Sequence, residues 1–463
     1  MPRALSLLEG RAHAAREYFS ARCLRETRRR YSGTMIHTYR IGAYVRALTV
    51  VISITSAVFV EGSRACAVDI VSPAKGDSFA PRIVADGAGV ILSWIERDAS
   101  SIAGQPDGFR FCMSRCEKDV WSPVANVAPG QKLFANWADT PTIVRARDGA
   151  LLATWLRQAE AGGYIYDAMV SRSTDDGRSW NILGPLHDDG KPAEHGFVSA
   201  DTARDSTAFC WLDGRAMTAH DSHGAGDDHG GGDMTLRAAR VAPTTERPSP
   251  PSEILDERTC ECCPTDLAIG SNGPIVVYRD RREDGTRDIS LVRWLGEGWS
   301  QPQAIGSDGW KLEGCPVNGP SISANGNDVV VAWWTGALAQ GGLVKGAVRA
   351  ARSRDGGATF AATVELDSNG SVGRVETLLL PSGDALILWI DARRSDGIVV
   401  LRRMHADGSL GELHTVAEVT ADRSSGFPRA TVQGTDLWLA ITAVGGEKSR
   451  SVKVIQLPID SLR

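Results

Sequence analysis

The residues best equipped for chemistry crowd into one stretch of the 463-residue chain. Arg258-Thr259-Cys260-Glu261-Cys262-Cys263-Pro264 places three thiols within four positions, and Gly314-Cys315-Pro316-Val317-Asn318-Gly319-Pro320 brings a fourth. Cys260, Cys262, Cys263 and Cys315 read as two disulfides of unspecified connectivity, as a thiolate metal site, or as free reactive thiols. Sulfur ligands suit a soft or borderline ion, copper or zinc, better than calcium or magnesium. A Gly-rich loop with His220, His223 and His229 among Asp221, Asp227 and Asp228 is a weaker second source of ligands, and reads equally as a solvated loop. Cys112 and Cys116 are expected to close a hairpin disulfide, and Cys210, inside an apolar strand, to be a buried thiol.

A second group consists of arginines and acids whose chemistry depends on where the fold puts them. Short alternating or β-branched runs bounded by Gly, Asp, Asn and Pro recur from residue 68 onward, and no helical period persists, so the chain is all-β. Glycine is in excess at 49 residues, and the 13 Trp outnumber both the 10 Phe and the 7 Tyr. Both follow from a repeat in which a Pro-led strand, a tight turn and an apolar strand ending in an aromatic recur. The ends fall at Trp94, Trp155, Trp211, Tyr278, Trp333, Trp389 and Ile441, spaced 61, 56, 67, 55, 56 and 52 residues apart.

A third and a fourth strand follow each end, the fourth often introduced by a sequence such as Trp121-Ser122-Pro123 or Trp299-Ser300-Gln301-Pro302. Four antiparallel strands repeated radially make a β-propeller, which leaves only short, protected sheet edges. The seventh unit ends after its third strand, Val452 to Leu457, while Val68 to Pro73 forms a strand that no unit claims. An N-terminal strand closing the ring predicts seven blades, with six blades plus an accessory pair as the alternative.

In such a blade, the loop before the first strand and the loop after the second open on one face. Trp137, His195, Asn318 and the four clustered cysteines fall at first-strand entrances, with Arg374 and Arg429 nearby. Glu96, Arg97, Asp213, Arg215, Arg279, Asp280, Arg281, Asp391 and Arg393 follow second strands. The expected site is therefore a polar mouth rich in Arg and Asp that takes a glycan or another small anionic ligand. The competing reading is solvated loop ends, or Arg–Asp pairs bridging blades.

The N-terminus reads as a targeting segment. Arg40 and Arg46 precede an apolar run from Ala47 to Val60, then Ala65-Cys66-Ala67, the pattern of a secretory signal with an A-x-A cleavage site. Residues 1–34 read as an over-extended start, 35–67 as the signal, and 68–463 as one domain, periplasmic or secreted and monomeric. The apolar run is too short to span a bilayer, so no membrane insertion is expected after cleavage. Residues 1–67 take 11 of the 51 basic and 4 of the 56 acidic residues, which leaves 40 against 52. A chain that acidic is unsuited to a nucleic-acid backbone.

Two turns carry a motif. Ser173-Thr174-Asp175-Asp176-Gly177-Arg178-Ser179-Trp180 and Ser353-Arg354-Asp355-Gly356-Gly357-Ala358-Thr359-Phe360 both resemble the Asp-box of the sialidase superfamily, with a degenerate copy ending at Trp121. With the cysteine stretch and Tyr278-Arg279-Asp280-Arg281, the chain is similar to secreted bacterial sialidase-like propellers that carry these Asp-box (BNR) repeats. The resemblance covers the whole domain and implies the propeller fold, with the boxes structural and on the face away from the ligand. A sialidase-type exo-glycosidase would need three arginines, a Tyr nucleophile paired with Glu, and an Asp acid/base. That family's Phe/Tyr-Arg-Ile-Pro signature is broken here as Phe79-Ala80-Pro81-Arg82-Ile83, and Tyr278 stands where other units have a core Trp. Ligand binding is the leading expectation, glycosidase activity the second, and a non-catalytic envelope scaffold the third.

Overall fold

The computed structural model describes residues 63–64, 67–98, 108–159, 163–217, 232–242, 251–312, 314–337, 345–368, 371–392, 396–446 and 449–462. The segments 1–34 and 35–62, together with His220, His223, His229 and Arg393, lie outside the described residues. The described chain folds as seven sheets of consecutive antiparallel strands ordered from the inside outward, with N-terminal strands added at the outer edges of the last two. Their first strands are Ser78–Asp86, Thr142–Arg145, His195–Thr202, Asp266–Gly270, Ser321–Asn325, Ser371–Leu379 and Arg429–Gln433. Each first strand contacts the next and the seventh returns to the first, so the sheets form a seven-bladed propeller.

The N-terminus closes the ring. Val68–Ile70 is the outer strand of blade 7, paired antiparallel with Val454–Gln456 of Arg450–Pro458. Just before it, Ser63–Arg64 runs parallel to His414–Thr415 on the outer edge of blade 6, a pairing with no signal in the sequence. The six-bladed alternative is thereby excluded. In blade 4 the fourth strand is Gln303–Ala304, and Trp299 instead bridges Trp294 in the turn ahead of it.

The recurrent aromatics are the centres of the blades. Trp94, Trp155, Trp211, Trp333, Trp389 and Tyr278 are all fully buried, and each large ring packs between neighbouring sheets where apolar burial contributes most. Most of their polar atoms find partners. The indoles of Trp94, Trp211 and Trp333 donate to Glu96, Asp213 and Asp308 at 2.9, 2.8 and 2.7 Å, and that of Trp155 to Ser171 Oγ at 2.9 Å. The Tyr278 hydroxyl donates to Asp256 at 2.5 Å. Trp389 Nε1 has no hydrogen-bond partner among the described residues.

The two Asp-box turns fold alike. In blade 2, Ser173 Oγ accepts from Gly177 N at 2.9 Å, Asp175 accepts from Ser179 N and Oγ at 2.9 and 2.7 Å, and Trp180 Nε1 donates to Gly177 O at 3.1 Å. In blade 5, Ser353, Asp355, Gly357 and Thr359 repeat the network, with Phe360 packed against the core. Gly177 is obligatory, because its φ is +81° and a Cβ would lie 2.7 Å from Met113 Sδ. The cysteine expectation for blade 1 fails. Cys112 and Cys116 share one strand, Phe109–Glu117, and four residues of strand span about 13 Å, beyond the roughly 7 Å reach of a disulfide. Cys210 is a buried thiol with its pKa pushed up to about 12 by burial.

Replacing Trp333 by Phe removes a satisfied bond to Asp308, whereas Trp389→Phe removes a donor that has no such bond among the described residues. Chemical denaturation should show W333F costing about 1–2 kcal/mol more than W389F; equal costs would refute this reading.

Candidate functional site

The loop into each first strand and the loop out of the second meet on one face of the ring. Cys260 N donates to Arg279 O at 3.1 Å, Gly214 N to Glu194 O at 2.8 Å, and Arg97 N to Asp77 O at 2.9 Å. The pocket candidates among the described residues lie on or beside these loops. They divide into separate clusters rather than lining one open pocket, and most are spent on the protein itself.

At the axis, Trp137 from the blade 2 entrance reaches over blade 1. It stacks on Phe427 of blade 7, with centroids 6.0 Å apart and planes at 15°, and takes the Arg374 guanidinium of blade 6 over its ring at 4.9 Å. Arg374 stands at φ +59° in a strand bulge, donates to the carbonyls of Asp422 and Gly426 at 2.7 and 3.1 Å, and has its pKa lowered to about 10 by burial. Asn318 holds the neighbouring seams. Its Oδ1 accepts from Arg374 N at 2.7 Å, and its Nδ2 donates to Val372 O at 3.0 Å. Both residues therefore shape the mouth without presenting a free polar group.

Within this ring lies a narrow cavity of about 10 Å³, lined by Arg82, Asp139, Phe197, Ser199, Thr265 and Arg429 among others, the size of a single water molecule. Arg429 NH1 pairs with Glu376 Oε2 at 2.9 Å. Arg82 makes no side-chain hydrogen bond or ion pair among the described residues. Burial, and then the neighbouring Arg429, lower its pKa, with Glu376, Asp266 and Asp201 acting only through longer-range attraction. Asp139 accepts from Phe197 N at 2.8 Å and from Tyr166 Oη at 3.3 Å, and Tyr166 Oη donates to Glu194 Oε1 at 2.7 Å. Burial, with Glu194 nearby, pushes Asp139 up to about 7. Gly196 makes room for this group, since a Cβ there would fall 2.1 Å from Asp139 Oδ2.

Arg82, Asp139, Tyr166 and Glu194 were not among the sequence candidates for the pocket. The strand-entrance rule pointed to the right loops. Arg82 follows a bulge with positive φ at Ala80, and Phe197, whose amide Asp139 accepts, sits at a second such bulge in blade 3; the sequence announces neither.

A second cluster surrounds His195. Its ring stacks on His187, with centroids 3.6 Å apart and planes at 5°. Asp189 lies 2.7 Å from His187 Nδ1 and 3.2 Å from His195 Nε2, while Asp167 lies 3.2 Å from His187 Nε2. Burial opposes charging of His187, but hydrogen bonds to Asp167 and Asp189 prevail and raise its pKa; burial and then His187 lower that of His195. Asp213 and Arg215 form the adjoining pair at 2.8 Å, and Arg215 also reaches Asp188 at 2.8 Å. These are bridging ion pairs.

The third cluster is the cysteine stretch. The sulfurs of Cys260, Cys262 and Cys263 lie within 4.8 Å of one another, none of the seven described cysteines is in a disulfide, and Cys315 is exposed. Arg279 is buried and bonded to the carbonyls of Asn318, Arg287 and Trp334 at 2.9, 2.6 and 2.6 Å. Arg281 pairs with Glu261 and, at 3.2 Å, with Asp233. Asp280 accepts from Ser290 Oγ at 2.9 Å, and burial followed by Asp256 raises its pKa. Among the described residues no helix is long and apolar enough to cross a membrane.

Fold and site together define a seven-bladed β-propeller. No protein-family model matches the chain, and no curated protein matches it. Among solved structures, it is similar to the polysaccharide lyase Uly1, at 11% identity and a TM-score of 0.50 over 87% of this chain and 94% of that one. It is also similar to a Penicillium chrysogenum α-L-arabinanase complexed with arabinobiose, at 11% identity and 0.47 over 84% and 95%. A Trypanosoma rangeli sialidase follows at 13% identity and 0.43 over 86% and 60%. At such identities only the architecture is shared.

Asp139 generates a pH prediction. Its folded-state pKa lies above the unfolded value, so between about pH 4 and 7 the folded protein holds a proton that the unfolded chain has released, and stability falls as pH rises through that window. Urea denaturation should show Asp139→Asn flattening this slope and gaining a few kcal/mol, to order of magnitude, near pH 8; an unchanged slope would rule it out.

Proposed function

We propose that the protein captures an anionic ligand, an acidic carbohydrate above all, with the ligand's carboxylate seated against Arg82 and Arg429 at the axis of the mouth. The observation that carries this reading is Arg82, a guanidinium directed at a polar cavity with no hydrogen-bond or ion-pair partner among the described residues. An interior cation with no carboxylate in direct contact is costly, even with Glu376, Asp266 and Asp201 attracting it from further off, and a bidentate carboxylate is the group that a guanidinium fork fits best. The cavity has room for one carboxylate oxygen at most, so the rest of the ligand lies outside it, where the half-buried Trp137 offers an aromatic edge.

Hydrolysis is the second reading, and one observation favours it: Asp139 holds its proton up to about pH 7 beside the same cavity, as a general acid requires. The nucleophile opposes it. Tyr166 and Tyr278 both have their pKa raised, by burial first and by carboxylates next, whereas a nucleophilic phenol needs the opposite shift. Binding is therefore proposed ahead of catalysis.

Calorimetry with glucuronate and N-acetylneuraminate should give saturable binding that Arg82→Gln weakens about tenfold or more, in line with roughly 1.5–3 kcal/mol for a charged hydrogen bond. Neutral sugars should bind no differently to wild type and variant. A fluorogenic sialoside should not be turned over; turnover that Asp139→Asn abolishes would replace binding with hydrolysis. Export is proposed as well. Cleavage after Ala67 would leave Val68–Ile70, the strand that closes blade 7, at the start of the mature chain. N-terminal sequencing of the exported protein should begin near Val68, and a retained leader would contradict it.

A further inference from the structure

The cysteine stretch of blade 4 is not used by the anion-binding reading and stands independently of it. Cys260 and Cys263 are each 1% exposed and Cys262 is 7% exposed. Their three sulfurs converge within 4.8 Å, which accommodates the spacing of about 3.8 Å between sulfurs sharing one ion at 2.3 Å. Cys315 comes from the entrance of the next blade and stands in hydrogen-bonding contact with Cys262, on the solvent side.

Two features separate this cluster from a pair of structural disulfides. The first is that N–H groups point at the sulfurs: Arg287 NH1 donates to Cys260 Sγ at 3.0 Å, and Asn318 N donates to Cys263 Sγ at 3.4 Å. Such bonds stabilise thiolate sulfur, and outer-shell donors of this kind orient and tune metal ligands. The second is charge. Arg279 is fully buried, accepts the Cys260 amide on its own carbonyl, and satisfies its guanidinium with carbonyls alone, without a carboxylate. Around it, Arg258, Arg281 and Arg287 share Glu261 and Asp233 among the described residues. Counted over these described residues, four guanidiniums meet two carboxylates, an excess of two positive charges about a buried centre of Arg279, Arg287 and Glu261. Disulfides are neutral and leave that excess standing. Three thiolates around a monovalent ion, or four around a divalent one, carry two negative charges and cancel it.

We propose that Cys260, Cys262 and Cys263, with Cys315 as a solvent-side fourth ligand, form a thiolate site for a single thiophilic d10 cation, Cu(I) or Zn(II). Binding converts each participating thiol to a thiolate and releases its proton to solvent; no redox step is involved. The buried trio fixes the ion, and the exposed Cys315 leaves one corner open, so the site can take up and release its ion without unfolding.

The test uses the full chain, reduced and handled without chelator, and titrated separately with Zn(II) and with Cu(I) against a chromophoric competitor. One ion per chain is expected, lost in Cys260→Ser, Cys262→Ser and Cys263→Ser and kept in Cys210→Ser, whose thiol is buried elsewhere. Cys315→Ser distinguishes the ions: loss of zinc with copper retained identifies a three-sulfur copper site, and loss of both identifies four-sulfur binding. Arg287→Gln should weaken retention by about 10–100-fold. Should the serine variants fail to fold, Co(II) added to the wild-type chain must still give thiolate-to-metal charge-transfer absorption. The proposal fails if the reduced chain retains no ion, if Cys262→Ser retains it unchanged, or if the exported protein carries all four sulfurs in disulfides that reductant opens only on unfolding.

Discussion

The innermost strand of a propeller blade has an edge with no partner in its own sheet, and this ring depends on how that edge is satisfied. At six of the seven seams a side chain on one first strand, or at its entrance, accepts the backbone amide of the next. Asp139 takes Phe197 N, Asp201 takes Ile269 N, Asp266 takes Ile322 N, Ser321 takes Thr377 N, Glu376 takes Ala430 N, and Thr431 takes Ala85 N. At the seventh, Asp86 of blade 1 holds Arg145 of blade 2. Buried amides must be paired, and here the pairing runs between blades, so the same bonds that satisfy the edges hold the circle together. Acids in these positions accumulate near the axis, and the arginines that face them follow.

That constraint accounts for how the polar residues of the mouth are used. Arg374, Asn318, Arg215 and Asp213 are held by carbonyls, amides and one another, which places the loops to within the tolerance of a hydrogen bond and leaves these side chains with little to offer a ligand. Two buried cations lack a carboxylate in direct contact among the described residues: Arg82, beside the axial cavity, and Arg279, near three sulfurs. These are the two positions on which the proposed anion site and the proposed thiolate site rest.

Much of the fold was legible because its signals are local. A Trp ending a β-branched run, a proline opening the next strand and a Gly-containing Asp-box turn each have their physical cause within a few residues. The seventh blade was legible from an unclaimed strand at the start of the domain and a unit one strand short at its end. The Cys112–Cys116 bridge failed because a strand is extended, so two cysteines four apart diverge. Arg82 was passed over because a broken signature concealed its strand, and Tyr166 because an aromatic opening a third strand reads as core.

By itself, the sequence determined the repeat and the loops from which chemistry must come, since periodicity and turn residues act through the backbone within one blade; it favoured seven blades with an N-terminal closing strand, and the structure excluded six. Only the tertiary structure decided which of those loop residues meet. Whether Trp137 covers the axis, whether His195 stacks on His187, and whether Arg279 ends among carbonyls or carboxylates are outcomes of contacts between residues 8 to 290 positions apart. Such contacts are set by bulges, blade packing and buried charge balance, which no single repeat encodes.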